Sequence, residues 1–480
     1  MTAADDAPPP RRRELRALTR LAVPLGAQQL GLMMLGLVDA AILGHYGRDA
    51  LGGGGVANSL VFGISCIGMG IMMGLDTLVP QALGAGRRGD TRWLLHDGLR
   101  AALWVGAPLS LLVLASPVLL PVFGVAPSIE REATPYVIFR SFGVVPFMIQ
   151  VALRSFLQAH GVTRPLIVAV VAGNAVNAVA DWILVFGDDG LATLGLPRIG
   201  LPAMGVVGAA LATSLVQVVT VAVYALAARA VLADLPATPR PPSQLRRIVT
   251  LGLPVGLQLG AEVGAFALAA LLAAHISEFA AAGHQVAINL ASLTFSISVG
   301  IGAATAVRVG HAVGAGDHVL ARARGLTGLG MGTAVMLAGA VVFLVIPAEL
   351  ARLFSDDPNV IGAAVPMLRV AAVFQLSDGA QAIAAGALRG AGDNRAAFLA
   401  NVFGHYAIGL TVSLTCAFAL DMGAVGLWWG LSAGLTATAV LLVARFWHLT
   451  SRPIAAAAKA RRRGRGPRLR GGDRPRRQVP

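Results

Sequence analysis

Five carboxylates stand where a carboxylate is costly: Asp39, Asp76, Asp181, Glu262 and Asp378. Each interrupts a run of mostly apolar residues long enough to cross a bilayer. An acid at the centre of such a helix costs about 2.5–3.5 kcal/mol on the insertion scale, so its default reading is functional. Asp39 sits in the run GLMMLGLVDAAILG, and Asp181 closes the stretch Asn174-Ala-Val-Asn177-Ala-Val-Ala-Asp181. Asn177 and Asp181 are four apart and share a helix face. Asn174 lies about one turn further back. Carboxylates and carboxamides grouped in this way can do either of two things. A desolvated carboxylate pair resists double ionisation and can hold a proton. The same oxygens can ligate Na⁺, a hard cation. A plain polar contact between two helices is the competing reading.

Glu262 and Asp378 make a second candidate pair. Gln258 one turn before Glu262, Gln381 three residues after Asp378, and Gln285 are further oxygen donors within reach. Asp76 precedes Val79-Pro80 near a helix end, where a solvated or capping role would suffice. The other reactive residue types form no site. His45, His275, His284, His311 and His405 lack metal-ligand spacing, and Cys66 and Cys416 lie singly in apolar runs. Gly84-Ala-Gly86 and Gly314-Ala-Gly316 follow no strand and precede no GK[ST], so they read as helix stops. Met33, Met34, Met69, Met72 and Met73 read as core packing before they read as a greasy cavity. No cofactor is expected beyond a coupling ion, Na⁺ or H⁺.

The elements that must position these acids are membrane helices. Of 480 residues, 56% are apolar and only 13% charged, and mean hydropathy is +0.72. That balance excludes a soluble enzyme and a disordered chain. The net charge of +14 is concentrated. Residues 459–480 hold one lysine and nine arginines against Asp473 alone. That tail suits anionic cytoplasmic lipid better than nucleic acid.

A spanning helix needs ~20 mostly apolar residues. Twelve runs qualify: 16–45, 53–79, 97–123, 133–159, 164–187, 204–228, 248–276, 281–309, 323–347, 360–388, 396–420 and 423–448. The run Gly52–Gly55 then falls at a tight turn or close contact after the first. The polar, arginine-rich N-terminal stretch up to Arg20 lacks a signal-peptide cleavage site. Arginines crowd the connections after even-numbered helices and both termini, which predicts that these face the cytoplasm.

The chain also repeats itself. LAVPLGAQ at 21–28 aligns with LGLPVGLQ at 251–258, so that Pro24 falls on Pro254 and Gly26 on Gly256. The same shift lays Gln81-Ala-Leu-Gly-Ala-Gly86 on His311-Ala-Val-Gly-Ala-Gly316. Six helices are thus repeated with unchanged parity, so the halves are parallel repeats about an axis along the membrane normal. The expected fold is an all-α integral membrane protein, with twelve transmembrane helices in two parallel-repeat six-helix lobes. The expected division is a cytoplasmic segment 1–15, an N-lobe 16–228, a Pro-rich cytoplasmic linker 229–245, a C-lobe 246–450 and a basic cytoplasmic tail 451–480. The acids do not obey the repeat. Asp39 and Asp181 fall opposite Ala269 and Val412, and Glu262 and Asp378 opposite Leu32 and Phe147. A purely structural contact would more naturally recur in both lobes.

Over residues 14–450 the chain resembles the multidrug and toxic compound extrusion (MATE) family, NorM-like branch. The carrying segments include LVDAAILGHYG, MGLDTLVPQALGAGR, NAVNAVADWILVFG, LGLPVGLQLGAEVGAF and FQLSDGAQAIAAGALRGAGD, in that order. Glu262 and Asp378 resemble the second-lobe acids of that branch. The resemblance implies a two-lobe antiporter of the bacterial cytoplasmic membrane, monomeric, exchanging inward Na⁺ or H⁺ for small organic cations. It places Asp39, Asn177 and Asp181 in a first-lobe cation site and matches Thr213 to a hydroxyl ligand there. Gly52–Gly55 and the arginine tail depart from the family pattern. A lipid-linked saccharide flippase of the same superfamily is the alternative. Its anionic substrate would want arginines in the cavity, where this sequence has acids.

Overall fold

In the computed structural model, residues 11–122 and 124–451 are described. The basic tail lies outside these residues, apart from Ser451. Eleven helices are long and apolar enough to span a membrane, and a bent pair supplies the twelfth. They are α1 (Arg12–Tyr46), α2 (Arg48–Gly84), α3 (Asp90–Val122), the bent α4 (Pro127–Ser141 with Val144–Ala159), α5 (Arg164–Phe186) and α6 (Val206–Ala233). The second six are α7 (Leu245–Ile276), α8 (Glu278–Ala315), α9 (His318–Val345), α10 (Pro358–Ala391), α11 (Asn394–Ala419) and α12 (Gly423–Thr450).

Local chemistry explains the ends. The Ser277 hydroxyl accepts from the Ala280 amide at 3.0 Å to start α8. Asp317 and Asp357 do the same for α9 and α10, each at 2.8 Å. Such caps satisfy amides that have no partner inside the helix. Gly316 and Gly392 close α8 and α10 at φ of 79° and 88°, a left-handed conformation that favours glycine. The Gly-Ala-Gly segments are therefore helix stops. Side chains such as Trp104, Val122 and Leu226 are largely exposed, as apolar groups facing lipid should be.

Two boundaries differ from the sequence reading. α2 begins at Arg48, so Gly52–Gly55 lies inside a helix and not at a turn. The reason is packing. A Cβ on Gly53 would strike Glu132 and Ala133, so glycine there lets α2 lie against α4. α4 begins at Pro127, with proline in the first turn, and bends by 50° at Phe142-Gly143.

The repeat is visible as contacts. Gly70 of α2 lies against the backbone of Gly256 of α7, and Gly300 of α8 against that of Gly26 of α1. The shift that lays Gly26 on Gly256 also lays Gly70 on Gly300, so each contact is carried into the other. Among the described residues, every side-chain hydrogen bond or ion pair joining α1–α6 to α7–α12 lies between mid-helix and the face carrying the start of α1 and the end of α12. Ser296 to Met33 is nearest the middle. Thr77 to the Arg389 carbonyl, Gln81 to the Gly390 carbonyl, and His311 to the Ala159 carbonyl lie at that terminal face. Among the described residues the lobes are thus fastened by side chains at one face and not at the other. The connection between α6 and α7 is strapped to α3. Asp97 accepts from the Gln244 amide at 2.7 Å, and Trp93 donates to the Thr238 carbonyl at 3.2 Å.

Candidate cation sites in the two lobes

In the N-lobe, α1, α5 and α6 bring three predicted oxygens and a hydroxyl together. Asn177 and Asp181 face the same way on α5, and the Asn177 amide donates to Asp181 Oδ2 at 2.8 Å. α1 packs on α5, with Gly31 against Val170 and the Asn174 amide, so that Asp39 and Asp181 stand on adjacent helices. Thr213 Oγ1 lies 3.0 Å from Asp39 Oδ2 and 2.9 Å from the Ala209 carbonyl. A hydroxyl has one hydrogen, so it serves one of these acceptors at a time. When it bonds Ala209, its lone pairs are free for a proton on Asp39 or for a cation.

Asp181 and Asn177 are fully buried, and Asp39 and Thr213 nearly so. Asp39 Oδ1, Asn177 Oδ1 and Asp181 Oδ1 nevertheless have no hydrogen-bond partner among the described residues. Buried polar atoms are ordinarily paired. Three unpaired oxygens in one cluster, on two carboxyls and a carboxamide, form an acceptor set with no donor. A proton or a small hard cation satisfies it; a second carboxylate charge does not.

Asn174 is placed differently. Its amide donates to the Gly31 carbonyl of α1 at 3.0 Å and to the Val170 carbonyl at 2.8 Å. It fastens α5 to α1 next to the cluster instead of bonding the acids.

In the C-lobe, α7, α10 and α11 converge on Glu262. Its Oε2 accepts from Gln381 at 3.3 Å and from Asn401 at 3.4 Å. Asp378 is buried on α10, three residues before Gln381. Gln381 Oε1, Asn401 Oδ1 and His405 Nε2 are buried without partners among the described residues. Gln258 is buried one turn from Glu262. Gln285 does not belong to this group. It is exposed and donates to Asn289 at 3.0 Å. It shares a helix face with Ser296, which meets Met33 of α1.

Sequence reasoning missed Asn401 and discounted His405. Both lie on α11, which carries π-helical turns at Phe403–Gly409 and Thr415–Ala419. An inserted π turn rotates the residues beyond it relative to a regular helix, and such turns gather at functional sites. Asp76 also departs from expectation. It is buried, with Oδ2 4.0 Å from Arg389 Nη1 across the lobe boundary, so it is neither solvated nor a cap. Among the described residues, no group of three His, Cys, Asp or Glu side chains has metal-centre geometry.

The MatE family model matches residues 24–183 and again residues 254–415. The chain belongs to the MatE family. The second match of this MatE chain begins at Pro254, the residue that the internal repeat lays on Pro24, where the first match begins. It is 34% identical over 465 residues to the multidrug resistance protein NorM of Burkholderia vietnamiensis, covering 95% of this chain and 98% of that one. It is 36% identical to a probable multidrug resistance protein NorM of Bradyrhizobium diazoefficiens, covering 91% and 93%. Among solved structures, the eukaryotic MATE transporter AtDTX14 superposes with a TM-score of 0.83 at 23% identity, covering 94% and 99%. That likeness is one of fold. As a MatE protein the chain is a multi-pass membrane transporter, not an enzyme.

Proposed function

We propose that this chain exports cationic amphiphilic compounds in exchange for an inward cation, Na⁺ or H⁺, across a bacterial cytoplasmic membrane. The observation that carries this is the N-lobe cluster, in which three buried oxygens, on two carboxyls and a carboxamide, are unpaired among the described residues. The names of its NorM relatives support multidrug efflux as the task. Loop arginines support a cytoplasmic position for both termini and for the fastened face.

The chemistry follows from charge. Asp39, Asp181, Glu262 and Asp378 present negative charge to a cationic substrate. A proton or Na⁺ on these groups neutralises them and releases the substrate. Substrate and cation then compete for the same acids, and that competition couples their opposite movements. Each cation entering gains about 2.3 kcal/mol per 100 mV of membrane potential. The unit that rocks is a lobe, 16–228 against 246–450, with 229–245 as the connection. Asn177 and Thr213 position Asp181 and Asp39, while Gln381 and Asn401 hold Glu262.

An anionic lipid-linked substrate fits this site poorly, because carboxyls are the charged groups placed at the centre of both clusters. The deciding experiment is reconstitution of the purified protein in liposomes, with Na⁺ and pH gradients imposed separately. Uptake or efflux of a fluorescent organic cation driven by either gradient is the expected result. Transport indifferent to both gradients would overturn the reading.

A further inference from the structure

Glu14 opens α1 in a strongly basic surrounding, between Arg12, Arg13 and Arg16. Its helix neighbours Arg12, Arg13 and Arg16 are exposed, but Glu14 is only 5% exposed. Its carboxylate is turned across the lobe boundary. Arg308 of α8 grips it with two nitrogens, Nε at 2.8 Å and Nη2 at 2.6 Å. Arg324 of α9 adds Nε at 3.3 Å. Among the described residues, Glu14 has no partner within its own lobe.

The arginine half of this contact is built by the C-lobe alone. Arg324 Nη1 donates to the Arg308 carbonyl at 2.8 Å, which holds the two guanidiniums side by side. Two like charges so placed repel, and the carboxylate between them removes that repulsion. The bidentate grip is the strongest geometry available to such a pair.

This contact breaks the symmetry of the fold. The glycine contacts of the lobe boundary recur under the internal repeat. The same repeat carries Glu14 to Gln244, and Arg308 and Arg324 to Leu78 and Leu94. On the symmetry-related flank Gln244 instead belongs to the covalent connection strapped to Asp97. One flank of the fastened face is therefore tied by the chain itself. On the other, the charged contact is three side chains, added to the packed backbones of α1 and α8, that can part without breaking a bond.

We propose that Glu14, Arg308 and Arg324 form a releasable latch, which holds the lobes together at the terminal face and sets how often that face opens. The proposal rests on the rocking-lobe antiport reading above for its role in transport, but not for its effect on the lobes. Removing the carboxylate leaves two partly buried cations beside each other. That penalises the closed arrangement alone, because opening hydrates both. The population ratio of open to closed terminal face should then rise by about tenfold or more.

Spin labels at Arg88→Cys and Val319→Cys report the lobe separation at this face, in a Cys66→Ala, Cys416→Ala background in nanodiscs. Both positions are exposed. The wild-type latch should give one dominant short distance. Glu14→Gln should add a longer population, and Glu14→Arg combined with Arg308→Glu should restore the short one. If Glu14→Gln fails to insert, Arg308→Gln combined with Arg324→Gln, which leaves the buried carboxylate unpaired, replaces it with the same expectation. An unchanged distance distribution in a variant that melts like wild type overturns the latch. Distances are read without gradient or substrate, so failure of gradient-driven transport leaves this test intact.

Discussion

Gly84 of α2 packs against the carbonyl of His311 in α8, and Gly314 of α8 packs against the carbonyl of Gln81 in α2. The internal repeat lays Gly84 on Gly314 and Gln81 on His311, so the two contacts exchange. The side chains follow the same rule. Gln81 donates to the Gly390 carbonyl, and His311 reaches the Ala159 carbonyl. The lobe boundary is thus a backbone-to-backbone surface arranged about a pseudo-twofold axis. Charged contacts such as Glu14 with Arg308 are added to it without a symmetry mate.

That surface tolerates no side chain. A Cβ on Gly70 would fall on the backbone of Gly256, which cannot rotate away. Gly70→Ala or Gly300→Ala should destabilise the closed boundary by about 1–3 kcal/mol. Gly55 has open space around it, so Gly55→Ala should be neutral or slightly stabilising. Thermal melting of the three variants in detergent checks this. Equal melting for Gly70→Ala and Gly55→Ala would contradict the packing argument.

In the N-lobe, Asp39→Asn keeps the shape of the side chain and removes its charge. The cluster then still accepts from Thr213, but its pull on a cation is cut. Gradient-driven efflux should fall at least tenfold, with expression and melting close to wild type. Asp181→Asn should do the same. Active efflux by a well-inserted Asp39→Asn protein would reduce the cluster to a structural contact.

Much of this was legible in one sequence. Twelve apolar runs gave the helix number because hydropathy reports burial in lipid directly. The repeat was readable because glycines at the boundary are fixed by backbone contact, so Gly26 and Gly256 recur at the proper spacing. The acids were legible because a carboxylate in an apolar run has few innocent explanations. Asn401 was not, since an asparagine in a helix carries no such penalty. Gln285 is exposed and does not bond Glu262, for a related reason. Its helix and sequence neighbourhood were right, but one-residue differences in register decide whether a side chain points in or out. The Asp76–Arg389 pair was hidden because no sequence spacing links α2 to α10.

The loop after α5 offers a test outside the membrane. Asp188 accepts from the amides of Ile199, Gly200 and Leu201, each at 3.0 Å. These amides, that of Ile199 foremost, hold its carboxyl below the usual aspartate range. A carboxyl depressed in the folded loop stabilises that loop above its unfolded value, about pH 3.9. This contribution disappears as pH falls through the lower folded value. Hydrogen exchange at the Gly200 amide, corrected for its intrinsic pH dependence, should lose protection on acidification below that range. Asp188→Ala should show low protection at every pH. Protection independent of pH in the wild type would show that the carboxylate does not hold the loop.

The C-lobe makes a different demand from the N-lobe. Glu262 is reached by two carboxamide donors, at 3.3 and 3.4 Å, while Gln381 Oε1 and Asn401 Oδ1 stay unpaired among the described residues. Long, weak hydrogen bonds of this kind are easily exchanged for a cation that draws the amide oxygens inward. If Asp378 and Glu262 bind that cation together, neutralising either acid weakens the competition between ion and substrate. Substrate titrations at several Na⁺ concentrations and pH values should then give affinities that vary less in Glu262→Gln and Asp378→Asn than in wild type. Asn401→Ala should fall between, because it removes one oxygen and no charge. Its apparent ion affinity should weaken by about tenfold, with substrate affinity at zero Na⁺ and high pH unchanged. Competition preserved in both acid variants would put coupling in the N-lobe alone. The convergence of α7, α10 and α11 on Glu262 would then be a device for packing the lobe.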